Sequence, residues 1–188
     1  MKGKFILVVG PSGSGKGTLI HYARPLFPAL VYPKSCTTRA PRSADSDGHY
    51  IFLSAEDFKA RADKGEFLEW AEYGGNYYGT LSSEVLPLLS EGKVALKELE
   101  VQGARQVREK VPRAELAIIF VNAGTWIEME ARIRARAPMS ETELERRKLR
   151  YEDEMNFMRE ADFVIANPVG RLEEAKKQFE SVVRSLIS

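Results

Sequence analysis

The residues best suited to chemistry stand in a glycine-rich stretch close to the start of the chain. Gly10, Gly15 and Lys16 have the spacing of a phosphate-binding loop, in which backbone N–H groups point at phosphate oxygens. The lysine would place a positive charge beside a transferred phosphate. The hydroxyl that the pattern expects directly after the lysine comes one residue later, at Thr18, because Gly17 intervenes. The stretch predicts a nucleotide phosphate site, with a Gly/Ser-rich turn that binds no phosphate as the alternative.

A strand and a helix are predicted to hold this stretch in place. Residues 5–9 are all apolar and indicate a buried strand, while Leu19 and Ala23 suit one face of a helix whose N-terminus favours anions. The apolar runs at residues 116–121 and 163–166 indicate further buried strands. Strands that alternate with helical stretches predict a parallel sheet flanked by helices, with the glycine-rich loop at the C-terminal end of the first strand.

A second anion site is predicted by Arg39 and Arg42, which stand three residues apart among hydroxyl residues and a proline. Arginine can meet a phosphate with two parallel hydrogen bonds, which suits a loop that grips an anion. Basic loops are usually solvated surface, so the pair alone would be weak support. Two anion sites, one on each side of a transferring phosphate, predict a phosphoryl transferase.

Three glutamates occupy predicted strands. Strand alternation puts Glu69 on the same face as Phe67 and Tyr73, where its carboxylate either reads the N–H groups of a ligand or is a charge at the edge of the sheet. Glu98 and Glu100 are predicted to point to one side of a later strand. Two acids on one face need a metal, a cation or a ligand to be tolerated in a site, and an exposed strand end is the alternative.

Two later regions are predicted to be helical. Thr80 is predicted to cap the first of these helices. The second region, residues 125–158, is heavily charged and breaks at residues 137–138, after which Ser140 begins a helix with a capping box. Arg147 falls within the apolar stripe of that helix, so it either meets an anion or extends to the edge of the protein. A solvated face paired with glutamates is the alternative for the arginines of this region.

Composition and charge bound the class of protein. At 188 residues, with 44% hydrophobic and 29% charged residues, the chain is predicted to be one soluble domain. The net charge of +1 gives no reason to expect a nucleic-acid or membrane partner. Cys36 is the single cysteine, so no intramolecular disulfide can form, which fits a reducing compartment. No apolar run approaches the roughly 20 residues of a membrane span, and the first run is too short for a signal peptide. We therefore expect a cytoplasmic protein.

Five short motifs follow one another along the chain. They are Ser35-x-Thr37-Thr38-Arg39-x-Pro41-Arg42, Gly48-x-Tyr50, Phe67-Leu68-Glu69-Trp70-Ala71, Gly75-Asn76-Tyr77-Tyr78-Gly79-Thr80 and Val101-Gln102-Gly103-Ala104. In order and spacing the set resembles guanylate kinases over nearly the whole chain. The resemblance implies an α/β P-loop nucleotide-kinase fold, with a parallel sheet flanked by helices, an inserted GMP-binding α+β subdomain and a helical lid. Within a single domain it implies a core of residues 1–33, 82–124 and 155–188, a GMP-binding segment of residues 34–81 and a lid of residues 125–154.

The resemblance also implies an activity, the transfer of the ATP γ-phosphate to GMP to give ADP and GDP with Mg²⁺, and dGMP is a further candidate acceptor. The positions that match ATP-binding residues are Pro11, Ser12, Gly13, Ser14, Gly15, Lys16, Gly17, Thr18, Arg136 and Asn167. The positions that match or neighbour GMP-binding residues are Ser35, Arg39, Arg42, Tyr50, Glu69, Tyr78, Thr80, Glu98 and Glu100. The positions assigned to catalysis are Lys16, Arg39, Arg42, Arg136 and Arg147. Mg²⁺ would be held mainly by phosphates and water, with Thr18 or Glu98 as a protein ligand, and the protein would be a monomer or a homodimer.

The chain departs from the family pattern at several positions. Gly17 replaces a hydroxyl residue, and Lys97 replaces an apolar residue. Glu98 and Glu100 replace aspartates. Each glutamate reaches one methylene further than an aspartate, so the guanine pocket or the Mg²⁺ shell is expected to be shifted. The lid also lacks the usual glycine and acidic pair around residues 138–139.

Two other functions stay open at the level of sequence. One is a related P-loop kinase with another phosphorylated acceptor, which the acids at positions 98 and 100 favour and Glu69 opposes. The other is a non-catalytic guanylate-kinase-like binding module, as in scaffold proteins. Such modules typically lose the loop lysine or the lid arginines, whereas this chain keeps Lys16, Arg136 and Arg147.

Overall fold

Strands and helices follow one another in mixed order along the chain. The computed structural model describes residues 3–42, 48–136 and 139–187. The strands are β1 (Lys4–Val9), β2 (Ser35–Thr37), β3 (Tyr50–Phe52), β4 (Phe67–Tyr73), β5 (Asn76–Leu81), β6 (Val94–Glu98), β7 (Leu116–Asn122) and β8 (Phe163–Ala166). The helices are α1 (Lys16–Ala23), α2 (Ala55–Asp63), α3 (Ser82–Ser90), α4 (Val101–Lys110), α5 (Trp126–Arg136), α6 (Glu141–Phe157) and α7 (Leu172–Ile187). Short 3-10 helices cover Arg113–Glu115 and Met158–Glu160. Among the described helices, none combines the length and the apolarity that a membrane crossing requires.

The described residues form two four-stranded sheets. The first has the order β6-β1-β7-β8, and its strands β7 and β8 pair in parallel from Ile119 opposite Phe163 to Asn122 opposite Ala166. Residues 5–9 of β1 are fully buried, as a strand covered on both faces must be. The predicted parallel sheet flanked by helices is confirmed. The second sheet has the order β3-β2-β5-β4, in which β2 and β3 are parallel and the other pairs antiparallel.

The chain divides into two compact units. The first consists of Met1–Ile6, Ala29–Lys97 and Gln102–Leu116, and the second of Leu7–Pro28, Glu98–Val101 and Ala117–Ser188. The segment predicted to bind GMP, residues 34–81, falls within the first unit. The segment predicted to be the lid, residues 125–154, falls within the second. The boundaries assigned to these segments stay predictions.

One face of the second sheet packs against α2. Its buried cluster consists of Cys36, Phe58, Phe67 and Leu81, and the rings of Phe58 and Phe67 stack with their centroids 4.4 Å apart. Helix α2 is capped by Ser54, whose side chain accepts a hydrogen bond from the backbone N–H of the third residue after it. Burial of large side chains on this face, at about 1.5–3 kcal/mol each, is what holds the sheet to its helix.

The strand predicted around Glu69 forms as β4, but the prediction that Phe67 shares a face with Glu69 is wrong. Phe67 pairs with Leu81 and Glu69 pairs with Thr80, so Leu68 is one residue more than β5 can match. This bulge reverses the alternation of side chains along β4. Phe67 therefore enters the buried cluster against α2, and the carboxylate of Glu69 lies on the opposite face of the sheet.

Three further details of the secondary structure differ from the predictions. Thr80 does not cap a helix, because β5 continues to Leu81 and α3 begins only at Ser82. The strand predicted to carry Glu98 and Glu100 ends at Glu98, since the chain then turns into α4. The two glutamates consequently do not alternate along one strand. The stretch that begins with the motif Ser-x-Thr-Thr-Arg, predicted as a loop, starts instead as the short strand β2.

Candidate functional site

The glycine-rich loop connects β1 to α1 in the second unit. Gly15 is the N-cap of α1 and has a φ of +97°, a left-handed conformation that favours glycine. A Cβ atom at this position would also collide with the side-chain nitrogen of Asn167. No side chain caps the helix, so the N–H groups of its first turn are left for an anion such as a phosphate.

Lys16 lies folded back over this loop. Its Nζ donates hydrogen bonds to the carbonyl oxygens of Gly10, at 2.7 Å, and Pro11, at 3.2 Å. The same nitrogen stands 3.6 Å from the Glu98 carboxylate, and only 7% of the residue is exposed. The positive charge is thereby held at the loop, where it can meet phosphate oxygens.

Asn167 braces the loop from the end of β8. Its side-chain nitrogen donates to the carbonyl oxygen of Ser14 at 2.7 Å, and its backbone N–H donates to Asn122 at the end of β7 at 2.7 Å. Because Asn167 is buried, these bonds are shielded from water. Two neighbouring strand ends are thus tied to the loop, and the predicted ATP-site residue Asn167 lies against its backbone.

A cavity of about 770 Å³ opens beside the loop, a volume typical of sites for nucleotide-sized ligands. Six of the residues predicted to bind ATP line it, together with residues of α5, α7 and the turn after β8. The lining consists of Gly13, Gly15, Lys16, Gly17, Thr18, Glu98, Arg132, Ala135, Asn167, Pro168, Gly170 and Leu172. Thr18 and Glu98 therefore line one cavity together with the loop lysine.

Arg132 is a cavity residue that the sequence did not single out. Its Nη2 donates to the backbone oxygen of Asn167 at 2.8 Å. The available signal was its position in a stretch of the chain rich in arginine, residues 132–136. Arg134 instead pairs with two glutamates at the exposed surface, as the alternative of a solvated face predicts.

Arg147 reaches the glycine-rich loop from α6. Its Nη1 donates to the side-chain oxygen of Ser12 at 3.2 Å, and its Nε pairs with Glu143 one turn earlier at 3.0 Å. The helix is held at its start by the predicted cap, in which Ser140 accepts from the N–H of Glu143. The prediction that this arginine faces inward is supported by these contacts. Arg136 ends α5, and its side chain lies outside the described part of the structure.

Glu154 is a partly buried acid farther along α6. Burial raises the pKa of its carboxyl group to about 7, against the opposing effect of the positive charge on Lys16, while the charge of Glu100 raises it further. A carboxyl group whose pKa is higher in the folded than in the unfolded state stabilises the fold below its unfolded pKa, near 4.5. That contribution is lost as the pH rises through about 7.

Glu154→Gln is therefore expected to flatten the pH dependence of stability. The unsubstituted protein loses stability as Glu154 ionises, whereas the amide never ionises. Raising the pH from 5 to 8 should therefore shift the difference in unfolding free energy by roughly 1–3 kcal/mol in favour of the variant. Urea unfolding at the two pH values measures this. Glu152→Gln, at an exposed position on the same helix, is the matched control. An equal effect of Glu154→Gln at both pH values would contradict the raised pKa.

In the first unit, five residues predicted to bind GMP share one face of the second sheet. The strand registers place Ser35 opposite Tyr50 and Glu69 opposite Thr80. Tyr78 lies opposite Thr37 on one side and Ala71 on the other. Because Thr37 is two residues from Ser35 and Ala71 is two residues from Glu69, Tyr78 points to the same face. This polar face is the one opposite the buried cluster on α2. The structure thus gathers these five side chains, which the sequence could only assign one by one.

Glu69 is held in a defined position on that face. It is 6% exposed, and its Oε1 accepts a hydrogen bond of 2.5 Å from the hydroxyl of Thr80, which is fully buried. Gln106 of α4 accepts from the N–H of Trp70 and donates to its carbonyl oxygen, which fixes the backbone beside Glu69. A Cβ atom on Gly103 would stand 2.9 Å from the Glu69 Oε2. Glycine at that position leaves room for the carboxylate.

Gly103→Ala is expected to separate stability from acceptor binding. Alanine favours a helix over glycine by up to about 1 kcal/mol, so the fold should be unchanged or slightly more stable. The new methyl group would displace the Glu69 carboxylate, and we expect about a tenfold rise in KM for the predicted acceptor, GMP, the equivalent of one weakened charged hydrogen bond. Steady-state kinetics and thermal unfolding check both parts, with Gln102→Ala as the exposed neighbouring control. An unchanged KM would show that the space beside Gly103 is not needed.

Arg39 lies over aromatic rings at the rim of the polar face. Its guanidinium carbon is 5.3 Å from the ring centre of Tyr50 and 6.0 Å from that of Phe52. Such cation–π contacts hold the face of the guanidinium, and its Nη1 donates to the backbone oxygen of Ala40 at 2.8 Å. Arg42 is exposed a few residues further on. The roles predicted for both arginines stay predictions.

Lys97 is a second residue whose importance the sequence did not reveal. It is 6% exposed, and its Nζ donates to Ser35 Oγ and to the carbonyl oxygen of Pro33, both at 2.9 Å. Burial lowers the pKa of its ammonium group to about 8, although the charge of Glu69 opposes this. The sequence signal was a lysine that directly follows the apolar residues of β6.

The two altered acids lie in the second unit. Glu98 stands beside the glycine-rich loop, where a Cβ atom on Gly17 would be 3.4 Å from its Oε2. The longer glutamate therefore occupies space next to the residue that lacks a side chain. Glu100 is exposed between β6 and α4. The predicted contact of both acids with the guanine base stays a prediction.

Comparison with known proteins agrees with this architecture. A family model described as guanylate kinase matches residues 2–186. A guanylate kinase of Rubrobacter xylanophilus is 41% identical over 188 residues, which is 100% of this chain and 96% of that protein. One of Trichormus variabilis is 43% identical over 166 residues, which is 88% of this chain and 82% of the relative. The crystal structure of guanylate kinase from Anaplasma phagocytophilum superimposes with a TM-score of 0.73 at 25% identity, over 98% of this chain and 86% of that one. The predicted nucleotide-kinase fold is confirmed, and the chain belongs to the guanylate kinase family.

Proposed function

We propose that the chain transfers the γ-phosphate of ATP to GMP, giving ADP and GDP, through the residues described above. Its relatives are guanylate kinases, which are phosphotransferases, and this confirms the predicted enzyme class and reaction. The observation that carries the choice of a guanine acceptor is the buried Glu69 carboxylate, held by Thr80 next to Gly103.

On the donor side, the glycine-rich loop and the first turn of α1 offer backbone N–H groups to the phosphates of ATP. Lys16 and Arg147 bring positive charge to the same loop. Phosphoryl transfer needs positioning and charge stabilisation more than covalent help, so these groups act by neutralising charge that develops on the transferred phosphate. Arg132 and Asn167 line the cavity that would take the rest of the nucleotide.

On the acceptor side, Glu69 would accept hydrogen bonds from guanine N1–H and from the exocyclic amine. Adenine cannot present two donors in that arrangement, and a mismatched buried polar group discriminates strongly between substrates. The remaining residues of the polar face and its rim would hold the phosphate of GMP. These are Ser35, Arg39, Arg42, Tyr50 and Tyr78.

Mg²⁺ is assigned to the donor cavity. Thr18 and Glu98 line it and carry side-chain oxygens, the ligand type that Mg²⁺ prefers. Within the described ranges no three His, Cys, Asp or Glu side chains cluster around a metal position. We propose that Mg²⁺ would be held mainly through phosphate oxygens and water, with Thr18 or Glu98 as its protein contact, and would neutralise phosphate charge. A cytoplasmic location and a monomeric or homodimeric state stay predictions.

A coupled assay of ADP release tests the proposal. ATP and Mg²⁺ are supplied with GMP, dGMP, AMP, CMP or UMP in separate reactions. We expect fast turnover with GMP and little with AMP. A folded protein that still binds ATP but releases no ADP with any of the five would overturn the proposal.

A further inference from the structure

The position of Lys97 in β6 is not explained by packing. The three residues before it are Val94, Ala95 and Leu96, and two of them are buried. Its own side chain is 6% exposed, although an apolar residue would fill the same space without taking a charge out of water. Burying an ammonium costs free energy even when it is hydrogen-bonded. A lysine at this place therefore calls for a role other than stability.

The hydrogen bonds of Lys97 impose a direction on Ser35. An ammonium group has three donors and no acceptor, so Ser35 Oγ can only accept from the Lys97 Nζ at 2.9 Å. The proton of the Ser35 hydroxyl is then left to point elsewhere. Ser35 stands on the polar face, opposite Tyr50 in the sheet register. A donor at that place is what a phosphate oxygen requires.

We propose that Lys97 is a positioning residue for the acceptor phosphate, which holds the Ser35 hydroxyl as a hydrogen-bond donor toward the phosphate of GMP. The inference rests on the proposed function and deepens it, since it concerns how the acceptor is bound. The ammonium also places a positive charge behind the serine, where it attracts a phosphate dianion. An apolar residue at position 97 could supply neither effect.

Other charged groups around Lys97 define the competing explanation. Glu69 of β4, Glu84 of α3 and the Cys36 thiol of β2 all act on it electrostatically. If Lys97 served mainly to balance the charge of Glu69, its removal would disturb recognition of the base. If it acts through Ser35, its removal would disturb recognition of the phosphate. A comparison of GMP with guanosine, which has the base but no phosphate, distinguishes the two.

The test uses Lys97→Met, which keeps the length of the side chain and removes its charge. We expect about a tenfold weaker Kd for GMP by calorimetry, as for one lost hydrogen bond to a charged group, with the Kd for guanosine unchanged. In kinetics, KM for GMP should rise by a similar factor while kcat and KM for ATP stay within about twofold. Lys97→Gln is the second variant, should the methionine variant not fold. Lys93→Met, at an exposed lysine just before β6, is the control.

A double-mutant cycle with Ser35→Ala tests whether Lys97 acts through the serine. In the Ser35→Ala background, Lys97→Met should change the Kd for GMP by less than about twofold, because coupled residues are not additive. Equal losses for GMP and guanosine, full additivity in the cycle or an unchanged Kd for GMP would each overturn the proposal. If the proposed function were wrong, the unsubstituted protein would release no ADP with GMP. If only the role of Lys97 were wrong, the unsubstituted protein would be active and the variants alone would give the contrary result.

Discussion

Replacing Glu69 with glutamine is expected to lower the preference for GMP over AMP, measured as the ratio of kcat/KM values, by about 10²- to 10³-fold. The amide keeps one acceptor oxygen but turns the other into a donor, which would face a donor of the guanine base. Losing one charged hydrogen bond and leaving one buried donor unpaired costs roughly 3–4 kcal/mol. The Thr80 hydroxyl can still donate to the remaining oxygen, so the side chain should keep its place.

Glu72→Gln is the matched control for this experiment. Glu72 lies on the same strand but is exposed. It should leave both kcat/KM values within about twofold, as expected for a surface position. Kinetics with GMP and AMP, together with thermal unfolding to verify folding, measure the effect. If Glu69→Gln left the preference for GMP intact, the assignment of Glu69 as the residue that reads the base would be wrong.

Replacing Arg147 with alanine is expected to reduce kcat by about 10²- to 10³-fold, while the KM values for ATP and GMP change by less than about threefold. The guanidinium is anchored by Glu143 and reaches Ser12 of the glycine-rich loop, so in the proposed reaction it would stand beside the transferred phosphate. An interaction that strengthens only in the transition state lowers kcat when it is lost, whereas a uniform binding contact raises KM.

Two further variants sharpen this prediction. Arg146→Ala removes an equal charge from an exposed position one residue earlier, and it should leave kcat nearly unchanged. Arg147→Lys keeps the charge but loses the paired N–H donors, so it should recover only part of kcat. A pure rise in KM for either substrate, with kcat intact, would remove Arg147 from the catalytic residues.

Local patterns in the sequence were enough for the parts of the site that depend on neighbouring residues. The apolar run before Gly10 and the amphipathic residues after Lys16 predicted β1, the loop and α1, because the conformations involved are set within a few residues. The cap at Ser140 was predicted for the same reason. The order of motifs along the chain predicted the family, which the comparisons confirm.

Pairing between distant segments decided the rest. The bulge at Leu68 exists because β4 must match β5, and it sets the face on which Glu69 lies. Alternation within β4 alone therefore placed Phe67 on the wrong face relative to Glu69, whereas Tyr73 lies on the predicted face. The contact of Lys97 with Ser35 joins residues 62 positions apart, and no local pattern encodes it.

The sequence was thus enough to predict the glycine-rich loop, the buried strands and the family, since each depends on short-range order or on motifs. The tertiary structure alone decided which side chains meet. It placed Glu69 against Thr80, Lys97 against Ser35 and Arg147 against Ser12. The physical reason is that strand register and helix packing are fixed by burial summed over many residues, so the partner of a polar side chain is set by the whole fold.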